Sequence, residues 1–228
     1  MNWTEKYRPD DFIDMVGVDE TIEQIEGFIL SDNIPHLLFH GEPGTGKTTL
    51  GRIIANKITG DYPENIIEVN ASDERGIENI RKIALNAIRH VPLGGTMRVI
   101  ILDESDGLTR EAQQIMRRPM EKSCNTLFII ICNDVKCIIK PIISRCAVFP
   151  FDTVKGKDII HRLKTIADNE GVTVNSETLT KIVTKAGGDM RSAINEMQKL
   201  TSVQKREDHV QQLAEKYLKQ MTTGQSGG

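Results

Sequence analysis

The segment from His36 to Leu50 contains residues whose types and spacing could bind phosphate. It reads HLLFHGEPGTGKTTL, an apolar run followed by Gly41-Glu-Pro-Gly-Thr-Gly-Lys47-Thr48. Glycines let backbone N–H groups turn inward around phosphate oxygens, and a following helix directs its positive end towards them. In this G-x-x-x-x-G-K-[ST] pattern we expect Lys47 to reach the β- and γ-phosphates and the Thr48 hydroxyl to bind Mg²⁺. The predicted nucleoside triphosphate site consists of Gly41, Pro43, Gly44, Thr45, Gly46, Lys47, Thr48 and Thr49.

Two adjacent acids follow a second apolar run, Val99–Leu102. Ligands bind at the carboxyl ends of strands in open α/β sheets, so Asp103 is predicted to hold Mg²⁺ together with Thr48. Glu104 is predicted to polarise an attacking water, which favours hydrolysis over phosphoryl transfer to a small metabolite. Asn133 follows the run TLFIIIC and is expected at the same edge, where its amide could orient that water.

Arg145 lies in PIISRCAVF, between an apolar run and a predicted strand. Arginine is rarely buried without a partner. From the residues alone two roles stay open. Arg145 could form an internal ion pair with Asp103, Glu104 or Asp106, or it could offer its charge to a phosphate outside the chain.

The pattern of apolar runs predicts the elements that position these residues. Strands are predicted at 36–40, 66–70, 98–103, 126–132 and 146–151, several of them apolar on both faces, as in a covered parallel sheet. Helical periodicity separates them at 18–31, 46–58, 77–90 and 109–122. This alternation predicts an α/β fold with a parallel sheet flanked by helices.

After Phe151 the pattern is helical, at 155–170, 176–186, 189–200 and 205–220. We therefore expect a nucleotide-binding α/β domain at 1–152, a small all-helical domain at 153–220 and a flexible tail at 221–228.

Composition excludes several classes of protein. The 228 residues carry a net charge of −3 and contain no apolar run long enough to cross a membrane. The charged N-terminus lacks the apolar stretch of a signal peptide, so a cytosolic location is expected. A protein that coats DNA non-specifically is usually basic, so any DNA contact must come from a local basic stripe. The four cysteines form no C-x-x-C pair and are expected to be reduced structural thiols.

Six motifs occur in an order that resembles a known family. They are Trp3-Thr-Glu-Lys-Tyr-Arg-Pro9, the phosphate loop, Asn70-Ala-Ser-Asp-Glu-Arg-Gly76, Asp103-Glu-Ser-Asp106, Ser144-Arg-Cys146 and Gly188-Asp-Met-Arg191. With them, residues 2–200 resemble a small subunit of replication factor C, the archaeal and eukaryotic clamp loader of the AAA+ ATPases.

The resemblance implies a P-loop AAA+ domain followed by a helical lid, and ATP-dependent loading of a sliding clamp onto primed DNA. It implies ATP and Mg²⁺ as cofactors. The implied partners are the sliding clamp, primer–template DNA contacted through its backbone, and other clamp-loader subunits. It implies a cytoplasmic location in an archaeon or a nuclear one in a eukaryote. Arg145 would be an arginine finger acting on the ATP of a neighbouring subunit, and Arg191 a sensor over the γ-phosphate. The residues implied at the adenine end are Tyr7, Arg8, Pro9, Val16 and Gly17.

Basic residues on two predicted helices could contact DNA. Lys82 and Arg89 are two turns apart with Arg81 beside them, and Arg110 and Arg117 repeat that spacing. A solvated helix face is the ordinary explanation for such charges, and the residues alone favour it. The resemblance implies instead that these helices line a DNA channel and contact phosphates.

Three departures from the family pattern carry their own expectations. Leu85 stands where the family has a basic residue, which predicts weaker DNA binding or substitution by Arg89. Pro119 stands where the family has threonine, which predicts a kink or a helix ending near Arg117. A third helical domain, the collar, has no counterpart in these residues. A nucleotide-gated binding scaffold with little turnover, or another AAA+ remodelling ATPase, therefore remains an alternative function.

Overall fold

The computed structural model describes residues 2–72, 80, 82–83, 91–95, 97–122, 125–203 and 206. These residues form two compact units. One unit runs from Arg8 to Lys155, and the other comprises residues up to Tyr7 and from Gly156 onward.

The first unit is built on a parallel sheet of five strands among the described residues. The strands are β1 (His36–Gly41), β2 (Ile66–Asn70), β3 (Arg98–Asp103), β4 (Thr126–Cys132) and β5 (Cys146–Phe151), in the spatial order β2-β3-β4-β1-β5. All four neighbouring pairs are parallel. The predicted α/β fold and each predicted strand are confirmed.

Helices cover both faces of the sheet, which explains why the strands are apolar on both sides. On one face Leu37 and Phe39 pack with the helices Asp19–Leu30 and Lys47–Thr59. On the other face Leu38 packs with the helices Arg110–Lys122 and Lys140–Ile143. Every residue of β4 is buried. The alternation of side chains along each strand therefore supplies two separate apolar cores.

Pro119 does not end its helix. The helix Arg110–Lys122 runs through it, so the predicted end near Arg117 is wrong. Proline removes one backbone hydrogen bond, but Pro119 lies in the last turns and is buried together with Met116 and Met120. Burial of this apolar face offsets the lost bond.

The second unit contains the helices Gly156–Glu170 and Ser176–Ala186 and a helical stretch at 190–203. Asn175 caps the middle helix, its side-chain oxygen accepting from the Thr178 N–H at 2.8 Å. The junction at residues 155–156 lies three residues beyond the expected one. The expected helix at 205–220 and tail at 221–228 fall almost entirely outside the described residues.

The N-terminal helix Trp3–Lys6 groups with this helical unit, although the sequence placed it in the α/β domain. The Trp3 N–H donates to the Gln198 side chain at 3.0 Å, and the Tyr7 hydroxyl donates to Glu170 at 2.9 Å. Arg162 donates to the Tyr7 carbonyl at 2.8 Å. These contacts fix the start of the chain on the helices that follow residue 155.

Short turns complete the described chain, and they are Phe12–Asp14, Pro63–Asn65, Leu93–Gly95, Ser105–Gly107 and Val135–Cys137. In the described ranges, no helix has both the length and the apolar character needed to cross a membrane. Three of the cysteines, Cys132, Cys137 and Cys146, are described and are free thiols. Burial raises the pKa of Cys132 and of Cys146 to about 12, so both stay protonated at neutral pH.

Candidate nucleotide site

The predicted phosphate loop connects β1 to the helix Lys47–Thr59. Gly41 needs to be glycine because the backbone of β5 is too close for a side chain: a Cβ there would lie 2.1 Å from the Phe151 carbonyl oxygen. Gly46 has φ of +96° and is the N-cap of this helix, and no side-chain hydrogen bond caps the helix at this position. The first backbone N–H groups of the helix are thus left facing the loop, as an anion site requires.

Lys47 is folded back over this loop. Its ammonium group donates to the carbonyls of Gly41 and Glu42, each at 2.7 Å, and the Thr45 hydroxyl donates to the same Glu42 carbonyl at 2.9 Å. Burial lowers the pKa of Lys47, while the nearby carboxylate of Asp103 raises it. The cation is therefore held inside the loop where a phosphate chain would lie. The remaining predicted loop residues differ in exposure: Pro43 is exposed, and Gly44 and Thr49 are half-buried.

The two predicted magnesium ligands are in contact. The Thr48 hydroxyl donates to the Asp103 carboxylate at 2.7 Å. Among the described residues there is no group of three or more His, Cys, Asp or Glu side chains that could enclose a metal. This donor set fits Mg²⁺, which usually takes one or two protein oxygens and completes its shell with phosphates and water.

Glu104 occupies a backbone conformation that is rare for its residue type. Its φ is +52° and ψ is +40°, and its N–H donates to the Asp103 side chain at 2.8 Å. The Asp103 carbonyl accepts from the Ala71 N–H at 2.8 Å, so the end of β2 supports this turn. Left-handed backbone at a non-glycine residue costs free energy and is concentrated at functional sites. The geometry presents the Glu104 side chain to solvent directly beside Asp103.

Asn133 lies at the same edge of the sheet as the acids, as predicted. β4 neighbours β3, with Leu102 paired to Ile130, and Asn133 follows the last residue of β4. Its backbone N–H donates to the Asp106 carboxylate at 2.8 Å. Asp106 was not predicted to contact Asn133, although its place three residues after Asp103 was a possible signal.

Arg145 has an internal partner that the sequence did not identify. Its guanidinium pairs with Glu121 and also donates to the Pro141 carbonyl. Neither contact involves Asp103, Glu104 or Asp106, so that proposed ion pair is not formed. The Arg145 side chain keeps 28% of its surface exposed and Glu121 keeps 43%. Since Glu121 is 24 residues away in sequence, no local pattern indicated this pair.

The predicted adenine-binding residues are divided between the units. Tyr7 belongs to the helical unit, whereas Arg8, Pro9, Val16 and Gly17 belong to the α/β unit. Val16 follows Met15, whose methyl group would lie 3.0 Å from a Cβ on Gly46, so this segment is next to the phosphate loop. Arg191 is exposed on the helical stretch 190–203. The roles of these residues at a nucleotide stay predictions.

The predicted DNA-binding residues are only partly described. Arg81 and Arg89 lie outside the described residues, as does Leu85, and Lys82 and Arg110 are exposed. Arg117 is half-buried and donates to Gln114 at 3.1 Å on its own helix. Its Nε is buried and has no hydrogen-bond acceptor in the described part of the chain. Arg110 therefore suits a phosphate contact better than Arg117 does.

Family models match both units. The ATPase family associated with various cellular activities (AAA) matches residues 37–151, and an RCF1/5-like AAA+ ATPase lid domain matches residues 161–199.

Two similar curated proteins come from archaea. The chain is 46% identical over 199 residues to replication factor C small subunit 1 of Pyrobaculum aerophilum. It is 46% identical over 201 residues to the replication factor C small subunit of Archaeoglobus fulgidus. Both alignments cover 86% of this chain, and the chain spans 60% and 62% of the lengths of these relatives.

A solved structure of the RuvB Holliday junction branch migration motor from Thermotoga maritima has a TM-score of 0.73 at 19% identity. The similarity covers 86% of this chain and 65% of that one, and at this identity it shows the fold alone. The family matches and the curated relatives show more than the fold. They show that the chain belongs to the AAA family of ATPases and is a homologue of replication factor C small subunits.

Proposed function

We propose that this chain is an ATPase subunit of a clamp loader, which binds ATP and Mg²⁺ and helps load a sliding clamp onto primed DNA. The observation that carries the proposal is the contact between Thr48 and Asp103, with Lys47 in the adjoining loop. This contact supports a site in which two proposed Mg²⁺ ligands lie beside the ammonium group proposed to bind phosphate, at the start of the helix Lys47–Thr59. The homology to replication factor C small subunits is the reason for proposing the sliding clamp and primed DNA as partners.

In the proposed site each residue has a distinct task. Mg²⁺, when bound, would neutralise the charge that develops on the phosphate oxygens. Thr48 and Asp103 would hold the metal, and Lys47 would exchange its two loop carbonyls for phosphate oxygens. Glu104 would accept a proton from water, and Asn133 would orient that water.

Arg145 completes the proposed site in trans. The Arg145 side chain keeps 28% of its surface exposed. An arginine finger supplied by a neighbouring subunit stabilises transition-state charge and raises the rate by about 10³-fold or more. Hydrolysis would then belong to an assembly of subunits. Arg191, Tyr7, Arg8, Pro9, Val16 and Gly17 are proposed to contact the nucleotide, and Lys82 and Arg110 the DNA backbone.

A second function is favoured by one contact. Because Arg145 is paired with Glu121 of its own chain, the finger is engaged before any neighbour arrives. A nucleotide-gated scaffold, which binds ATP and a clamp or loader subunit with little turnover, is consistent with that pairing.

The rate of ATP hydrolysis separates the two functions. It is measured for the purified chain alone, then with an archaeal sliding clamp and primed DNA, and then with full-length replication factor C small subunits added. Stimulation by clamp and DNA together, lost in Glu104→Gln while ATP still binds, supports the clamp loader. ATP binding with a flat rate in all three mixtures contradicts it and supports the scaffold.

A further inference from the structure

We propose that Asp106 is the positioning residue that holds Asn133 in place for hydrolysis, an inference that rests on the proposed ATPase function. The Asp106 carboxylate accepts two consecutive backbone N–H groups, one oxygen from Asn133 at 2.8 Å and the other from Asp134 at 3.0 Å. Both oxygens of one acid are thereby used to hold the first two residues after β4.

The carboxylate itself stands on a rigid support. Asp106 lies in the turn Ser105–Gly107, directly after the acids that end β3. Ser105 is fully buried, and its hydroxyl donates to the Leu102 carbonyl at 2.9 Å. The Gly107 N–H closes the turn on the Glu104 carbonyl at 2.9 Å. Asp106 thus has a fixed position relative to Glu104.

The contact joins the two strand ends where the sheet no longer does. The register of β3 and β4 extends as far as Leu102 and Ile130. Beyond it the chains continue as the turn that carries Asp106 and the loop that carries Asn133. Asp106 therefore fixes the distance from Asn133 to the acids of β3.

This distance matters because a water must be held by Asn133 and activated by Glu104 at the same time. A displacement of about 1 Å in such a group can reduce the rate by about 10²-fold. Loss of the anchor would act on the orientation of the water. It would leave the contacts of ATP with the loop at Gly41–Thr48 in place.

The variant Asp106→Asn tests the proposal. It keeps the shape of the side chain but replaces one acceptor oxygen with an NH₂ group, so one of the two N–H groups loses its partner. We expect kcat to fall about 10- to 100-fold with KM for ATP unchanged. The matched control is Asp134→Asn in the same loop, because within the described residues the Asp134 side chain accepts only from the Lys136 N–H in its own turn. Its kcat should be unchanged.

A double-mutant cycle identifies the residue through which Asp106 acts. If Asp106 acts through Asn133, the double variant Asp106→Asn with Asn133→Ala should turn over no more slowly than Asn133→Ala alone. The proposal would be overturned if the losses of kcat in the two single variants multiplied in the double variant. It would also be overturned if KM for ATP rose in Asp106→Asn by the same factor as kcat fell. Thermal melting checks that each variant folds. If Asp106→Asn does not fold, Asp106→Glu replaces it; because glutamate retains two acceptor oxygens, this variant should keep part of the wild-type rate.

The same series separates this inference from the proposed function. If Glu104→Gln and Asn133→Ala both leave the rate unchanged, the hydrolytic site itself is wrong. If they abolish turnover while Asp106→Asn does not reduce it, only the positioning role is wrong.

Discussion

Replacing Arg145 with alanine should separate stability from turnover. The substitution breaks the ion pair with Glu121, in which the two side chains are 28% and 43% exposed. An ion pair this accessible to solvent contributes about 0.2–1 kcal/mol, so the free energy of unfolding should change by no more than that. Loss of an arginine finger instead costs about 10³-fold in rate. That factor corresponds to about 4 kcal/mol of transition-state stabilisation.

Glu121→Gln is the matched control, because it breaks the same ion pair and leaves the guanidinium in place. Urea unfolding of both variants should show the same small loss of stability. The affinity of the isolated chain for a fluorescent ATP analogue should be unchanged in both. ATP hydrolysis with sliding clamp, primed DNA and full-length subunits should collapse for Arg145→Ala alone.

Two outcomes would refute this reasoning. If Arg145→Ala lowered the ATP affinity of the isolated chain tenfold or more, the arginine would act on its own nucleotide. If Glu121→Gln lost as much turnover as Arg145→Ala, the intact pair and not the free guanidinium would be the functional unit.

Three further results are expected. Gly41→Ala should destabilise the protein by about 1–3 kcal/mol or more in urea unfolding, because its Cβ would overlap the Phe151 carbonyl. Gly27→Ala, at an exposed helical site with open space around it, should instead stabilise the protein by about 0.5–1 kcal/mol. Burial lowers the pKa of His36 below its ordinary value of 6.5, so the unfolded state binds the proton first; the free energy of unfolding should decrease as pH falls below 6.5, and His36→Gln should remove this part of the pH profile. Thr48→Ala should raise the Mg²⁺ concentration needed for half-maximal hydrolysis, and an unchanged requirement would argue against its contact with the metal.

The sheet could be predicted because its information is local. β3 and β4 are apolar at successive positions and end in polar residues, so both the strands and the edge that carries Asp103 and Asn133 follow from short segments. The phosphate loop was equally accessible, since its glycines and Lys47 occupy fixed spacings.

Other features depend on contacts between distant segments. Arg145 and Glu121 meet only because the helix Arg110–Lys122 and the segment before β5 pack on the same face of the sheet. The helix end predicted near Arg117 overlooked the burial of Met116 and Met120, which depends on tertiary packing. No spacing in the sequence could have supplied either result.

The order of the chain through its two units has a consequence for protein engineering. The polypeptide begins in the helical unit, enters the α/β unit at Arg8 and returns at Gly156. In sequence, the α/β unit is therefore inserted between two segments of the helical unit. Removal of residues 1–7 would consequently disrupt the helical unit. A probe attached at Trp3 would report on the environment of Gln198, almost two hundred positions away in sequence.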